Sequence, residues 1–91
     1  MEVIQTQAFA KVVKKLHRNQ KEELDKAVKT IMNDTNIGEL KVGDLAGVRV
    51  HKFKMVTQPV LLAYTYNPDS IILTLFALGS HENFYRDLKN F

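Results

Sequence analysis

Two stretches, residues 60–66 (Val60-Leu61-Leu62-Ala63-Tyr64-Thr65-Tyr66) and 71–78 (Ile71-Ile72-Leu73-Thr74-Leu75-Phe76-Ala77-Leu78), are apolar at odd and even positions alike. Successive side chains of a strand point to opposite faces, so strands of this composition need cover on both faces of their sheet. A third β-forming run, residues 48–55, precedes them, with Val56-Thr57-Gln58-Pro59 and Asn67-Pro68-Asp69-Ser70 as the turns between. Three antiparallel strands in a meander are the economical arrangement, although runs that are apolar on both sides leave the register open.

The cover for one face stands earlier in the chain. Phe9, Val12, Val13 and Leu16 recur at helical spacing with Lys11, Lys14, Lys15 and Arg18 turned away, and Leu24, Ala27, Val28, Ile31 and Met32 repeat the stripe. Thr6 is placed to cap the first helix, and His17 falls in its last turn. Asn19 and Glu22 have capping-box spacing for the second. Before them, Glu2-Val3-Ile4-Gln5 suits a short strand. Residues 34–47, broken by Gly38, Gly43 and Gly47, read as an ordered loop that Ile37, Leu40, Val42 and Leu45 can pin to the body, with Gly47 at the entry to a strand.

The second face is left to the C-terminal segment. Ser80 is an N-cap, and Phe84, Leu88 and Phe91 form the stripe of a third, short helix. The fold class expected is therefore α+β, β-α-α-β-β-β-α, with a helical hairpin packed on an antiparallel sheet and a short C-terminal helix. A length of 91 residues makes it one domain, 1–91.

Composition narrows the function classes. Cysteine is absent, which excludes disulfides and thiolate metal sites, and no dense Asp/Glu/His cluster suggests a metal or other cofactor. No apolar run reaches the roughly 18 residues that would span a bilayer, and the first residues do not resemble a signal peptide, so a cytoplasmic protein with no membrane partner is expected. Between Leu45 and Pro68 there is no Asp or Glu, while Arg49, His51, Lys52 and Lys54 all fall there. Such a surface suits polyanions, and it equally suits a solvated strand face whose lysines keep an edge from aggregating. Period two places Lys52 and Lys54 on one face with Val48 and Val50, and Arg49, His51, Phe53 and Met55 on the other. Since Phe53 and Met55 should meet the helices, the lysine pair should look out from the open face.

Where the last apolar run stops stands Gly79-Ser80-His81-Glu82-Asn83-Phe84-Tyr85-Arg86. The first and third strands of a meander run parallel, so Lys52 and Lys54 finish at the same end of the sheet as His81, two strand spacings or roughly 10 Å away. A phosphodiester fits between them. Cleaving RNA needs a base for the 2′-hydroxyl, cations for the charge of the phosphorane and an acid for the leaving oxygen. His81 suits the acid/base role, Lys52 and Lys54 the charge, and Tyr85 proton transfer or base stacking, with Arg49 and Arg86 as accessory phosphate contacts. A surface or cap residue is the structural alternative for His81, and a satisfied structural histidine that for His51.

The element order, the His51-Lys52-Phe53-Lys54 strand and the Leu78-Gly79-Ser80-His81-Glu82-Asn83-Phe84-Tyr85 stretch resemble the RelE/ParE superfamily of toxins from bacterial type II toxin–antitoxin modules. In the RelE branch, the resemblance implies, Lys52 and Lys54 face messenger RNA on the ribosome, and His81 matches a catalytic histidine of several members. The implied activity is a metal-independent, ribosome-dependent mRNA endonuclease, and the implied partner is a cognate antitoxin. Two departures stand out: Leu61 occupies a place where RelE carries an arginine, and His81 replaces another. Tyr85 matches the C-terminal tyrosine of RelE only loosely. The ParE branch, which poisons DNA gyrase without nuclease residues, shares the fold and is the alternative.

Overall fold

Thr6 is the joint between the first strand and the helices. Its Oγ1 accepts the Phe9 N–H (3.2 Å), capping the helix, and donates to the Phe76 carbonyl 70 residues away (2.9 Å). The computed structural model describes residues 1–80 and Phe84. In order it contains β1 (Glu2–Gln5), α1 (Gln7–Lys14), α2 (Arg18–Asn33), β2 (Glu39–Leu40), a 3-10 turn (Gly43–Leu45), β3 (Arg49–Met55), β4 (Gln58–Asn67) and β5 (Ile72–Gly79). The expected third helix, its Leu88 and Phe91 included, lies outside the described residues.

The helices begin and end slightly away from the expected places. α1 stops at Lys14, and His17 is not in its last turn but is the N-cap of α2, its N–H held by Gln20 Oε1 at 2.8 Å. The cap therefore sits two residues before Asn19, whose own side chain accepts the Gln20 N–H (2.9 Å) inside the first turn. Both Asn19 with Glu22 and His17 with Gln20 have cap spacing, and the helix uses the second pair.

The sheet is five-stranded, in the order β1-β5-β4-β3-β2. It is mixed rather than antiparallel, because β1 pairs with β5 in parallel, Val3 beside Leu73 and Gln5 beside Leu75. Alternation in a short run reports which side is apolar and nothing about the neighbour, so this pairing had no local signal. The β3–β4 turn is tighter than expected. Gln58 and Pro59 already pair with Met55 and Lys54, leaving Val56 and Thr57 as a two-residue turn with Val56 at φ 61°.

Phe9, Leu24 and Ile31 of the helices pack on Met55, Leu62, Tyr64 and Leu73, forming the main core. On the other face Val50, Leu61 and Ala63 form a smaller cluster under Phe84, with Leu45, Val48, Phe76 and Ala77 at its margin. A β-bulge after Ala63 adds one residue to β5, so Phe76 and Ala77 both join this second cluster. Phe84 is 2% exposed, and its N–H reaches the Ser80 carbonyl at 3.1 Å. A residue of the C-terminal segment thus does cover the second face.

The loop between α2 and β3 is ordered, but not by the residues expected. Ile37, Leu40 and Val42 are exposed, Val42 by 84%, and of the four only Leu45 packs inward. Two polar side chains hold the loop instead. The Tyr64 hydroxyl accepts the Gly38 N–H (2.9 Å) and donates to the Thr35 carbonyl (2.8 Å). Arg49 Nη1 donates to the carbonyls of Gly38 (2.9 Å) and Asn36 (3.3 Å).

Candidate functional site

Register turns the expected neighbourhood into a definite row. Lys52 pairs with Leu61, and Leu61 pairs with Gly79, so one line of residues crosses β3, β4 and β5. Two strand spacings separate Lys52 from Gly79, roughly 10 Å between backbones. One step along, Lys54 lies opposite Pro59 at the hairpin end.

Both lysines are exposed, and among the described residues neither forms a salt bridge. By strand parity they share the face of Val50, which is buried with Leu61 and Phe84. Their stems therefore leave from the margin of an apolar floor, with the ammonium groups in solvent where a polyanion can reach them. Leu61, at 6% exposure, fills the middle of the row and presents no polar group there.

The remaining expected site residues divide. Arg49 does not join the lysines: it lies on the opposite face of β3, with Nη1 engaged by the loop carbonyls of Gly38 and Asn36. Parity puts it on that side, where its guanidinium donors reach loop carbonyls that need partners. His51 stacks on Phe53, ring centroids 5.8 Å apart and 14° from parallel, and its burial lowers its pKa from 6.5, favouring the neutral ring. It is a structural histidine on the helix side. His81, Tyr85 and Arg86 lie outside the described residues.

The Tyr64–Gly38 contact is the feature least legible beforehand, since tyrosine reads simply as a sheet aromatic. The one available signal is Gly38 itself. A Cβ there would stand 2.9 Å from Tyr64 Cε1 and Oη, so glycine is required by close approach. Burial raises the Tyr64 pKa from 10.0, with smaller influences from Gly38, Arg49 and Asp34, so the hydroxyl keeps the proton it donates to Thr35.

Residues 3–89 match the family model described as ParE-like toxin of type II bacterial toxin–antitoxin system. No curated protein matches the sequence. Among solved structures, the fold is similar to that of a double arginine-to-alanine mutant of Escherichia coli toxin RelE in the free state. The TM-score is 0.74 at 15% identity, covering 97% of this chain and 90% of that one. The toxin in the intact E. coli RelBE toxin–antitoxin complex is also similar, with a TM-score of 0.71 at 17% identity over 89% of this chain and 96% of that one. The isolated E. coli RelE toxin gives a TM-score of 0.68 at 16% identity, over 98% and 96% of the two chains. At such identities the likeness is one of fold, and with the family match over nearly the whole length it places this chain in the ParE-like family of toxins from type II bacterial toxin–antitoxin systems.

Proposed function

We propose that this toxin is a metal-independent, ribosome-dependent mRNA endonuclease. The observation that carries the reading is the row Lys52–Leu61–Gly79, which brings the exposed Lys52, with Lys54 next on the same face of β3, to the same end of the sheet as the strand exit that leads to His81. His81 is the second residue after Gly79 in the sequence.

In this mechanism the RNA 2′-oxygen attacks the adjacent phosphorus, forming the P–O2′ bond as the P–O5′ bond breaks. The 2′-hydroxyl proton passes to a base and the departing 5′-oxygen takes one from an acid, leaving a cyclic phosphate and a 5′-hydroxyl. His81 serves this proton traffic. Lys52 and Lys54 bind the phosphate and balance the extra negative charge of the phosphorane. Tyr85 transfers a proton or stacks on a base, and Arg86 adds a phosphate contact. Arg49 is assigned to the loop rather than to the substrate.

The partner is a cognate antitoxin, as the capture of E. coli RelE with the antitoxin RelB supports. An apolar cleft of about 310 Å³ between β1 and α2, lined by Val3, Phe9, Leu24, Val28, Met32 and Leu75, suits an apolar antitoxin segment.

Two observations favour a second reading, inhibition of DNA gyrase without cleavage. The matching family description is ParE-like, and Leu61 fills the centre of the row with hydrocarbon. Expression of His81→Ala separates the two. A nuclease loses toxicity and transcript cleavage with the fold intact. A variant that stays toxic, with intact transcripts and gyrase-dependent DNA breaks, sinks the nuclease.

A further inference from the structure

The loop before β3 is held firmly and yet hides little of its own hydrocarbon. The Tyr64 hydroxyl and Arg49 Nη1 bind its backbone at Thr35, Asn36 and Gly38. Its side chains Ile37, Leu40 and Val42 are nevertheless 41%, 52% and 84% exposed. Ordering a segment costs conformational entropy, which burial of its apolar side chains ordinarily offsets. Here those side chains are held out to solvent on a fixed backbone.

The strand within this loop is an open edge. β2 is the outermost strand of the described sheet, beside β3. The Lys41 N–H donates to the Val48 carbonyl (2.9 Å), Leu40 pairs with Arg49, and Glu39 pairs with Val50. Hydrogen-bonded and non-hydrogen-bonded pairs alternate along an antiparallel ladder. Glu39 and Lys41 therefore turn their backbone groups toward β3, and Leu40 turns its N–H and C=O outward. Val42, extended at φ −125° and ψ 174°, carries the edge on to the 3-10 turn. Outward backbone groups flanked by exposed hydrocarbon are what an added strand takes up.

The charges name that strand. Glu39 and Lys41 flank Leu40, share one face of β2 and lie 3.3 Å apart, with the glutamate side chain 77% exposed. Charged residues on an edge ordinarily deter pairing. In an antiparallel pairing centred on Leu40, however, Glu39 of one copy stands opposite Lys41 of the other, twice over by symmetry. A slip of two residues sets Lys41 against Lys41 or Glu39 against Glu39, so the charges select one register. We infer that β2 pairs with β2 of a second copy of this chain, antiparallel about Leu40, joining the two five-stranded sheets in a symmetric dimer. About five residues a side make a small contact, so the dissociation constant should be on the order of 10–100 μM. Lys52 and Lys54 lie further along β3, beyond the end of β2, and such pairing is independent of the cleavage chemistry.

The test is sedimentation velocity on the intact chain from about 1 to about 300 μM. A reversible monomer–dimer equilibrium is expected, with nothing larger, because a contact of this symmetry closes on itself. Glu39→Lys and Lys41→Glu each turn two attractions into two repulsions and should weaken the dimer at least about tenfold. An equimolar mixture of the two variants should pair again, as a heterodimer, and the chain carrying both swaps should pair with itself. Circular dichroism checks that each variant is folded. Should Lys41→Glu fail to fold, its side chain being only 21% exposed, Glu39→Lys at the open position reports alone. A monomer at every concentration, a dimer that Glu39→Lys leaves unchanged, or a mixture of the two folded variants that stays monomeric overturns the inference and assigns the edge to a different chain.

Discussion

Removing one oxygen atom, by Tyr64→Phe, tests whether the loop before β3 is held from within the sheet. Tyr64 is 0% exposed, and its hydroxyl serves a buried donor, the Gly38 N–H, and a partly buried acceptor, the Thr35 carbonyl. Phenylalanine keeps the ring and leaves both backbone groups without that partner. A buried N–H left unsatisfied costs about 1–3 kcal/mol, and a carbonyl that water can reach loses only the net worth of its bond, about 0.5–1.5 kcal/mol. Taking the middle of each range gives a loss of roughly 3 kcal/mol. At about 4–8 °C per kcal/mol for a domain of this size, the unfolding midpoint should fall by roughly 12–24 °C. Urea unfolding followed by circular dichroism measures it, with an unchanged m-value as the sign that the end states are preserved. The half-buried Tyr66, changed in the same way to phenylalanine, is the control. A loss below about 0.5 kcal/mol in Tyr64→Phe, in the range of ordinary surface substitutions, refutes the reasoning. The same hydroxyl predicts an alkaline limit. Its folded pKa is raised above 10.0, so its contribution is complete below pH 10.0 and lost as the pH climbs through the folded value.

Gly38→Ala places a methyl 2.9 Å from the Tyr64 ring and 3.1 Å from the Val50 carbonyl carbon, and should cost about 1–3 kcal/mol in the same urea titration. Val56→Gly should act the other way. A β-branched residue at φ 61° opens the β3–β4 hairpin, where left-handed backbone costs about 1–2 kcal/mol, and relief minus the added freedom of unfolded glycine leaves a gain of about 0.5–1 kcal/mol. For His51, burial depresses the folded pKa below 6.5, so its contribution is present above pH 6.5 and lost as the pH falls through the folded value. His51→Gln should flatten that part of the stability profile.

Where local periodicity carried the information, the reading held. The stripe Phe9–Val12–Val13–Leu16 became α1 and the residues after it, and Thr6 capped the helix as its position requires. Lys52 and Lys54 stand on the face away from the helices because period two leaves them no other side once Met55 and Phe53 are committed to the core. Failure came where the deciding partner lay far along the chain. β2 exists because Glu39 and Leu40 find Val50 and Arg49, not because a two-residue run has any propensity of its own. Arg49 reads as an accessory phosphate contact from its neighbours in sequence, and in the fold its Nη1 donates to the carbonyls of Asn36 and Gly38, which no local pattern announces.

The sequence by itself determined which residues must be hidden: two helical stripes, and strands apolar on both sides that demand a layer on each face. Those follow from the fixed periods of helix and strand, which need no knowledge of the partner. Tertiary structure alone decided register and pairing direction, the parallel β1–β5 edge, the bulge that brings Phe76 and Ala77 to one face, and the alignment of Lys52, Leu61 and Gly79. A run that is apolar on both sides gains almost the same burial in either register, so its position is set by the pairing and packing of the whole sheet rather than by any stretch within it.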